Sequence, residues 1–415
     1  MESINRESDD VKITNLLKEE LKRQQNNIVL IASENYTSAA VMQAQGSVLT
    51  NKYAEGYPKK RYYAGCQFID EVEQLAIDRA CELFNVKYAN VQPHSGSQAN
   101  LAVFKAILEP GDCFMGLDLA HGGHLSHGCK ANISGQYYRP VIYQLNSKTE
   151  VLDYDEIERI AKESKPKLII AGYSAYALTI DWKRLRQICD QVGARMLADI
   201  AHVSGLIAAG LFPCPSKYAD VITTTTHKSM RGPRGGMIMV PKDEKLAKKI
   251  DQAIFPGLQG GPMIHTIAAK AVAFHEALQP EFKVYQKQVM KNAKDLCNHL
   301  KEYGYKITSN GTDTHLFLVD LTEKNITGQD AERALEEIGI ITNKNTVPND
   351  KRSPFVTSGL RIGTCAITTR GVKEEGTKEI AYLIDKCLKN MDNQDVMEEL
   401  KERVQQLCVN HPLYQ

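Results

Sequence analysis

Short β-branched strands alternating with amphipathic helical stretches constrain this chain more than any other feature. "KLIIAGYS" (167–174) reads as a buried strand. A helix follows from Asp181, with Trp182, Leu185, Ile188, Cys189 and Val192 on one face and Gly193 to close it. "RMLADIAH" (195–202), "DVITTTT" (220–226) and "GGMIMV" (235–240) read as further strands. Strand–helix–strand in this rhythm requires crossover connections. The fold class is therefore α/β, a mainly parallel sheet with helices on both faces.

The 415 residues suit roughly two or three domains. Leu16, Leu17 and Leu21 share one face of a short N-terminal helix, as on an arm that packs on something else. "NKYAEGYPKKRYYAG" (51–65) reads as an ordered loop. Pro280 interrupts a helical pattern, and a second alternation follows: "HLFLVDL" as a strand, "GQDAERALEEIGI" as a helix, "DVMEELKERVQQLCV" as a closing amphipathic helix. These changes divide the chain into an arm (1–50), a large domain (51–279) and a smaller C-terminal α+β domain (280–415).

With 51 basic against 50 acidic side chains, no global field recruits nucleic acid or an anionic membrane. No apolar run approaches transmembrane length. The ten cysteines are scattered without zinc or redox spacing. No secretory apolar core or acid-poor transit segment opens the chain, so a reducing cytoplasm is the expected compartment.

Ligands of open parallel sheets gather at the carboxyl ends of strands. Ser174, Asp199, His202, Thr225, His227 and Lys228 all fall at such ends. Alone, Asp199 could cap the next helix and Lys228 could be a solvated lysine. Together they suit pyridoxal phosphate, which needs an amine for a Schiff base and an anion beside its pyridine nitrogen. Its phosphate needs an anion site. Gly96 and Ser97 in "PHSGSQANLAVFKAIL" open a helix whose free N–H groups favour one, although a plain serine cap is the alternative. Thr225 is the expected contact among the threonines, and Arg234 with the glycines after it turns the backbone close to the pocket. The three histidines of "LAHGGHLSHG" (119–128) lie in a glycine-rich, mobile loop unsuited to metal, and one suits stacking over a flat ring. Arg361, in the apolar run "TSGLRIGTCAITTRG", requires a carboxylate in its planar fork, from a substrate or a structural ion pair.

Taken in order, "LTNKYAEGYP", "NVQPHSGSQAN", "LAHGGHLSHG", "DIAHVSGLIAAG", "TTTTHK…GPRGG", "FPGLQGGP", "TNKNTVPND" and "SGLRIGT" closely resemble serine hydroxymethyltransferases, over most of the chain from "LIASENYTS" onward. The resemblance implies a fold-type I pyridoxal-phosphate enzyme, its large domain built on a seven-stranded sheet. It also implies an obligate homodimer with shared active sites and tetrahydrofolate as co-substrate. Lys228 is then the Schiff-base lysine, Asp199 the partner of the pyridine nitrogen and His124 the stacked ring. His202 and Ser174 lie near the phenolic oxygen. Gly96 and Ser97 hold the phosphate, helped by Tyr53 and the Gly260–Gly261 turn of a neighbouring subunit. Arg361 grips the substrate carboxylate with Ser33 and Tyr63 nearby, and Glu55 handles the serine hydroxyl proton close to the folate. Leu119, Gly123, Leu125 and Asn345 match the family's folate site.

Two departures stand out. The family loop YPGKRYYGG reads "YPKKRYYAG" here, so Lys59 and Ala64 replace glycines beside Glu55 and Tyr63. A side chain is strained there wherever the backbone has positive φ. Cys365 stands where the family commonly has proline. Three other readings compete: a folate-independent aldolase on threonine-like β-hydroxy amino acids, an aminotransferase, and a silent binding homologue. Glu55 and "TNKNTVPND" favour the transferase over the aldolase, and intact Lys228, Asp199, His124 and Arg361 oppose a silent homologue.

Overall fold

A computed structural model describes residues 9–414. Residues 1–8, the start of the expected arm, and residue 415 lie outside the described residues. Numbering the strands of the two larger sheets, the first contains β1 (Tyr88–Asn90), β2 (Cys113–Leu117), β3 (Arg139–Tyr143), β4 (Leu168–Ala171), β5 (Arg195–Asp199), β6 (Val221–Thr225) and β7 (Gly236–Val240). Their order is β1-β7-β6-β5-β4-β2-β3. All neighbours run parallel except β7, which is antiparallel to both β1 and β6. The expected seven-stranded, mainly parallel sheet is present, made mixed by that one strand.

Both faces of this sheet are buried, which is why its strands read as apolar runs. In β4, Ile169 and Ala171 join one core cluster, while Leu168 and Ile170 join the cluster on the opposite face. The period-two alternation of a strand makes that division. The helix Trp182–Val192 forms as expected, burying Trp182, Leu185, Ile188 and Cys189, with Gly193 left-handed at its end.

A second sheet, β8 (Lys306–Ile307), β9 (Leu316–Asp320), β10 (Asn343–Asn345) and β11 (Gly359–Gly363), has the order β8-β9-β11-β10. Pro280 sits at the first turn of a long helix, Pro280–Glu302, where its missing N–H is harmless. The helix expected over 328–340 ends at Glu337, and Ile340–Ile341 pairs in parallel with Ile28–Val29. Ile28, Leu30 and Ala32 are thereby buried in the core of this second sheet, together with Met397, Leu400 and Val404 of the closing helix. The N-terminal helix Val11–Asn26 buries none of its residues, and Leu16 and Leu17 remain exposed.

Candidate active site

The carboxyl ends of the parallel strands open into a cavity of about 780 Å³. Fourteen residues expected at the site line it: Ser33, Gly96, Ser97, Leu119, Gly123, His124, Leu125, Ser174, Asp199, His202, Thr225, Lys228, Asn345 and Arg361. They come from both sheets and from the segment after Ile28–Val29, so the cavity is a product of how the two regions meet.

Asp199 ends β5, and all its described partners are donors. Asn100 Nδ2 and His127 Nε2 each lie 2.9 Å from Oδ2, and the Ala201 N–H donates to Oδ1 at 3.1 Å. Burial alone would raise its pKa; the hydrogen bond and charge of His127, with His124 and Asn100, outweigh that and hold the carboxylate well below its usual range. It does not cap the following helix, Ser204–Ala208, whose cap position is Val203. Lys228 is buried beyond the end of β6. Burial lowers its amine to about 8, against the pull of Asp199 and with repulsion from Arg361 and Arg234.

The helix Gly96–Ile107 begins on the cavity wall, capped by Ser95, whose Oγ accepts from the Gln98 N–H at 3.2 Å. The Gly96 and Ser97 N–H groups are thus first-turn donors free for an anion. Thr225 Oγ1 is buried with no hydrogen-bond partner in the chain. A Cβ on Gly96 would come within 2.7 Å of Thr225 Cγ2, so only glycine lets the helix start sit against that hydroxyl. An orphaned hydroxyl beside unpaired N–H groups is a cradle built for a phosphate, and with Lys228 and the ionised Asp199 these residues fit pyridoxal phosphate. Beneath the cradle, Lys270 donates to the carbonyls of Val91, Pro93 and Gly236 at 2.7, 3.1 and 2.8 Å.

Arg361 lies in β11, as the apolar pattern implied, with neutral partners: Asn343 Oδ1 at 3.2 Å, the Ser174 carbonyl at 2.9 Å and Ser33 Oγ at 3.4 Å. Among the described residues no carboxylate pairs with it, and burial lowers its pKa to about 10. A half-buried guanidinium held only by neutral groups is a receptor for an external carboxylate.

The "LAHGGHLSHG" segment is not the mobile loop expected. Two 3₁₀ turns, Leu119–His121 and Leu125–His127, order it, and His121 and His127 are buried. Gly123 packs so closely that a Cβ would meet the Leu117 carbonyl at 2.1 Å. Burial lowers His124 to about 4, leaving a neutral flat ring tied by Nδ1 to Ser126 Oγ at 2.7 Å.

Five expected site residues line a different surface. Tyr53 and Tyr63 meet edge to face with centroids 5.3 Å apart and are 57% and 47% exposed. A Cβ on Gly260 would lie 3.3 Å from Glu55 Oε1, and one on Gly261 would lie 3.2 Å from the Tyr53 ring. The charge of Glu55 raises the Tyr63 phenol. None of the five lines the cavity. Lys59, two residues past the hairpin strand Gly56–Tyr57, has φ of 63°, so the replaced glycine does occupy a left-handed position; Ala64 does not.

Sequence reasoning missed His127, which meets Asp199 directly, and Ser126 and Asn100, which link His124 to Asp199 while the Thr223 hydroxyl donates to Asn100 Oδ1. His127 sat in a recognised segment, and the signal available was a third histidine next to glycine. Which histidine faces the aspartate depends on the turn geometry alone.

The chain matches the family described as "Serine hydroxymethyltransferase" over residues 6–384. It is also similar to a curated protein named serine hydroxymethyltransferase from Alkalilimnicola ehrlichii, 56% identical over 406 residues, which cover 98% of this chain and 97% of that relative.

Proposed function

This chain belongs to the serine hydroxymethyltransferase family, and from that premise we propose how its own residues divide the work. It interconverts serine and tetrahydrofolate with glycine and 5,10-methylenetetrahydrofolate, with pyridoxal phosphate as cofactor. When bound, the cofactor's protonated ring supplies a sink for electron density developing at the substrate Cα.

In the proposed division, Lys228 would hold the cofactor through its side-chain amine. Its depressed pKa favours this, because a neutral amine is the nucleophile. Asp199 would keep the ring nitrogen protonated, His124 would cover the ring, and the Gly96 and Ser97 N–H groups with Thr225 Oγ1 would hold the phosphate. Ser174 and His202, both on the cavity wall, would meet the phenolic oxygen. Arg361 and Ser33 orient the substrate by its carboxylate, which fixes the Cα bond to be broken relative to the ring. Leu119 and Leu125, 44% and 52% exposed on the cavity wall, offer apolar faces to a pteridine, with Gly123 and Asn345 beside them. Glu55 moves the serine hydroxyl proton, with Tyr63 adjacent.

We further propose that Tyr53, Glu55, Tyr63, Gly260 and Gly261 serve the cavity of a second copy in a homodimer. The exposure of Tyr53, Tyr63 and Gly260 outside this chain's own cavity supports that reading. So do exposed Tyr62 and Phe68 nearby in sequence and the uncovered face of the Val11–Asn26 helix. A reducing cytoplasm suits the ten free thiols, and among the described residues no helix is long and apolar enough to cross a membrane.

The observation that carries the residue assignment is Arg361, a half-buried cation without a carboxylate among the described residues, in the same cavity as Lys228 and Asp199. The test is Lys228→Gln. Multiple turnover should fall by at least ~10³-fold while cofactor still binds and absorbs visibly. Wild-type turnover in that variant would refute the assignment.

A further inference from the structure

His315 is wholly buried immediately before β9, and no role in the assigned site uses it. Its Nε2 lies 3.1 Å from the Ala32 carbonyl and 3.4 Å from His202 Nδ1. Its Nδ1 is buried with no partner. The two rings are 18° from parallel with centroids 5.5 Å apart. That separation exceeds the nitrogen–nitrogen distance by nearly a full ring diameter, so the rings meet edge to edge, as an in-plane hydrogen bond requires, rather than face to face.

The chemistry of these contacts fixes the protons. A carbonyl oxygen only accepts, so the hydrogen at the Ala32 contact belongs to His315 Nε2. A neutral imidazole carries one N–H, which leaves His315 Nδ1 bare and agrees with its lack of any acceptor. The same Nε2–H is then shared with His202, whose Nδ1 must accept. We infer that His315 sets the tautomer of His202, so that His202 carries its proton on Nε2 and offers a hydrogen-bond donor to the cavity it lines. Burial, with Lys228 and Arg361 as nearby cations, keeps both rings neutral: His315 falls to about 3 and His202 well below its usual value. A donor at that position suits a ligand oxygen bearing negative charge. Given the role proposed above for His202, on which this step rests, that oxygen is the phenolic oxygen of the cofactor. His315 is thus a positioning residue, reaching from the second sheet to set one proton in the first.

Neutron diffraction from the deuterium-exchanged full-length protein with its cofactor tests this directly. Deuterium should appear on Nε2 of both His202 and His315, with both Nδ1 atoms bare. Deuterium on His202 Nδ1 would overturn the inference. Because that readout does not involve turnover, its failure would leave the assigned reaction standing. A second arm uses the visible absorbance of the bound cofactor as a function of pH. His315→Gln places an amide N–H where Nε2 was and should keep the wild-type midpoint. His315→Leu removes the donor and should raise the midpoint by about 1 pH unit, as expected for losing a hydrogen bond to a charged oxygen. Equal shifts in both variants, or none in either, would overturn it as well. If the leucine variant does not fold, the deuterium positions decide alone.

Discussion

Two surfaces of this protein carry the residues that sequence motifs assign to one reaction, and they differ in kind. The cavity's charged groups are set within a single chain: Asp199 has its donors, Lys228 is buried and Arg361 is held by three neutral acceptors. Tyr53 and Tyr63 are exposed, and with Glu55 they lie beside the Gly260–Gly261 turn. The first region spends folding energy to hold charges out of water, which fixes their ionisation in advance of substrate. The second keeps its carboxylate and phenols where a second subunit can receive them. In the proposed homodimer, one half of each site would be rigid and the other completed by assembly.

The most powerful way to break this contrast is complementation. Lys228→Gln and Glu55→Gln homodimers should each be nearly inactive. Unfolding and refolding the two together should restore about a quarter of wild-type activity, because half the dimers become mixed and each mixed dimer has one intact site. No recovery would place both residues in the same chain's site. Next in size is Lys270→Met, which removes the ammonium donor shared by the Val91, Pro93 and Gly236 carbonyls beneath the phosphate cradle and leaves Pro93 with only the Gly236 N–H. It should lower unfolding free energy by about 3 kcal/mol or more in a denaturant titration, and weaken cofactor retention. An equivalent change on the exposed surface would be nearly silent.

The ionisation contrast can be sharpened by pH. Recapture of cofactor by the apoenzyme needs neutral Lys228, so its rate should rise with pH through a midpoint near 8 and level off above it. A midpoint near 10.5, the value of an ordinary lysine, would mean that burial does not act on the amine as described. The smallest effect belongs to the exposed surface. Lys59 holds φ of 63° while its N–H donates to Asp70 Oδ2 at 2.8 Å. Lys59→Gly relieves the left-handed strain without losing that bond, and should stabilise the protein by about 0.5–1 kcal/mol in a thermal melt. Destabilisation would show that the lysine side chain contributes there instead.

The sequence was most legible where physics makes a residue conspicuous in its own neighbourhood. Apolar β-branched runs with helices between them can only form a doubly covered sheet, and that sheet is present. A lysine, an aspartate and an arginine at the ends of or within apolar strands announce themselves, because burying a charge without purpose is unfavourable. Gly96 and Ser97 at a helix start were readable for the same local reason. What the chain alone did not reveal were pairings between distant positions. His127 rather than its neighbours meets Asp199, 72 residues away; His315 meets His202 across 113 residues; and the strand order sets β7 antiparallel among parallel neighbours. Residue type and spacing determine which groups need a partner. Only the tertiary structure, through strand order, turn geometry and the packing of the two sheets at distances of a few ångströms, decides which partner each one has.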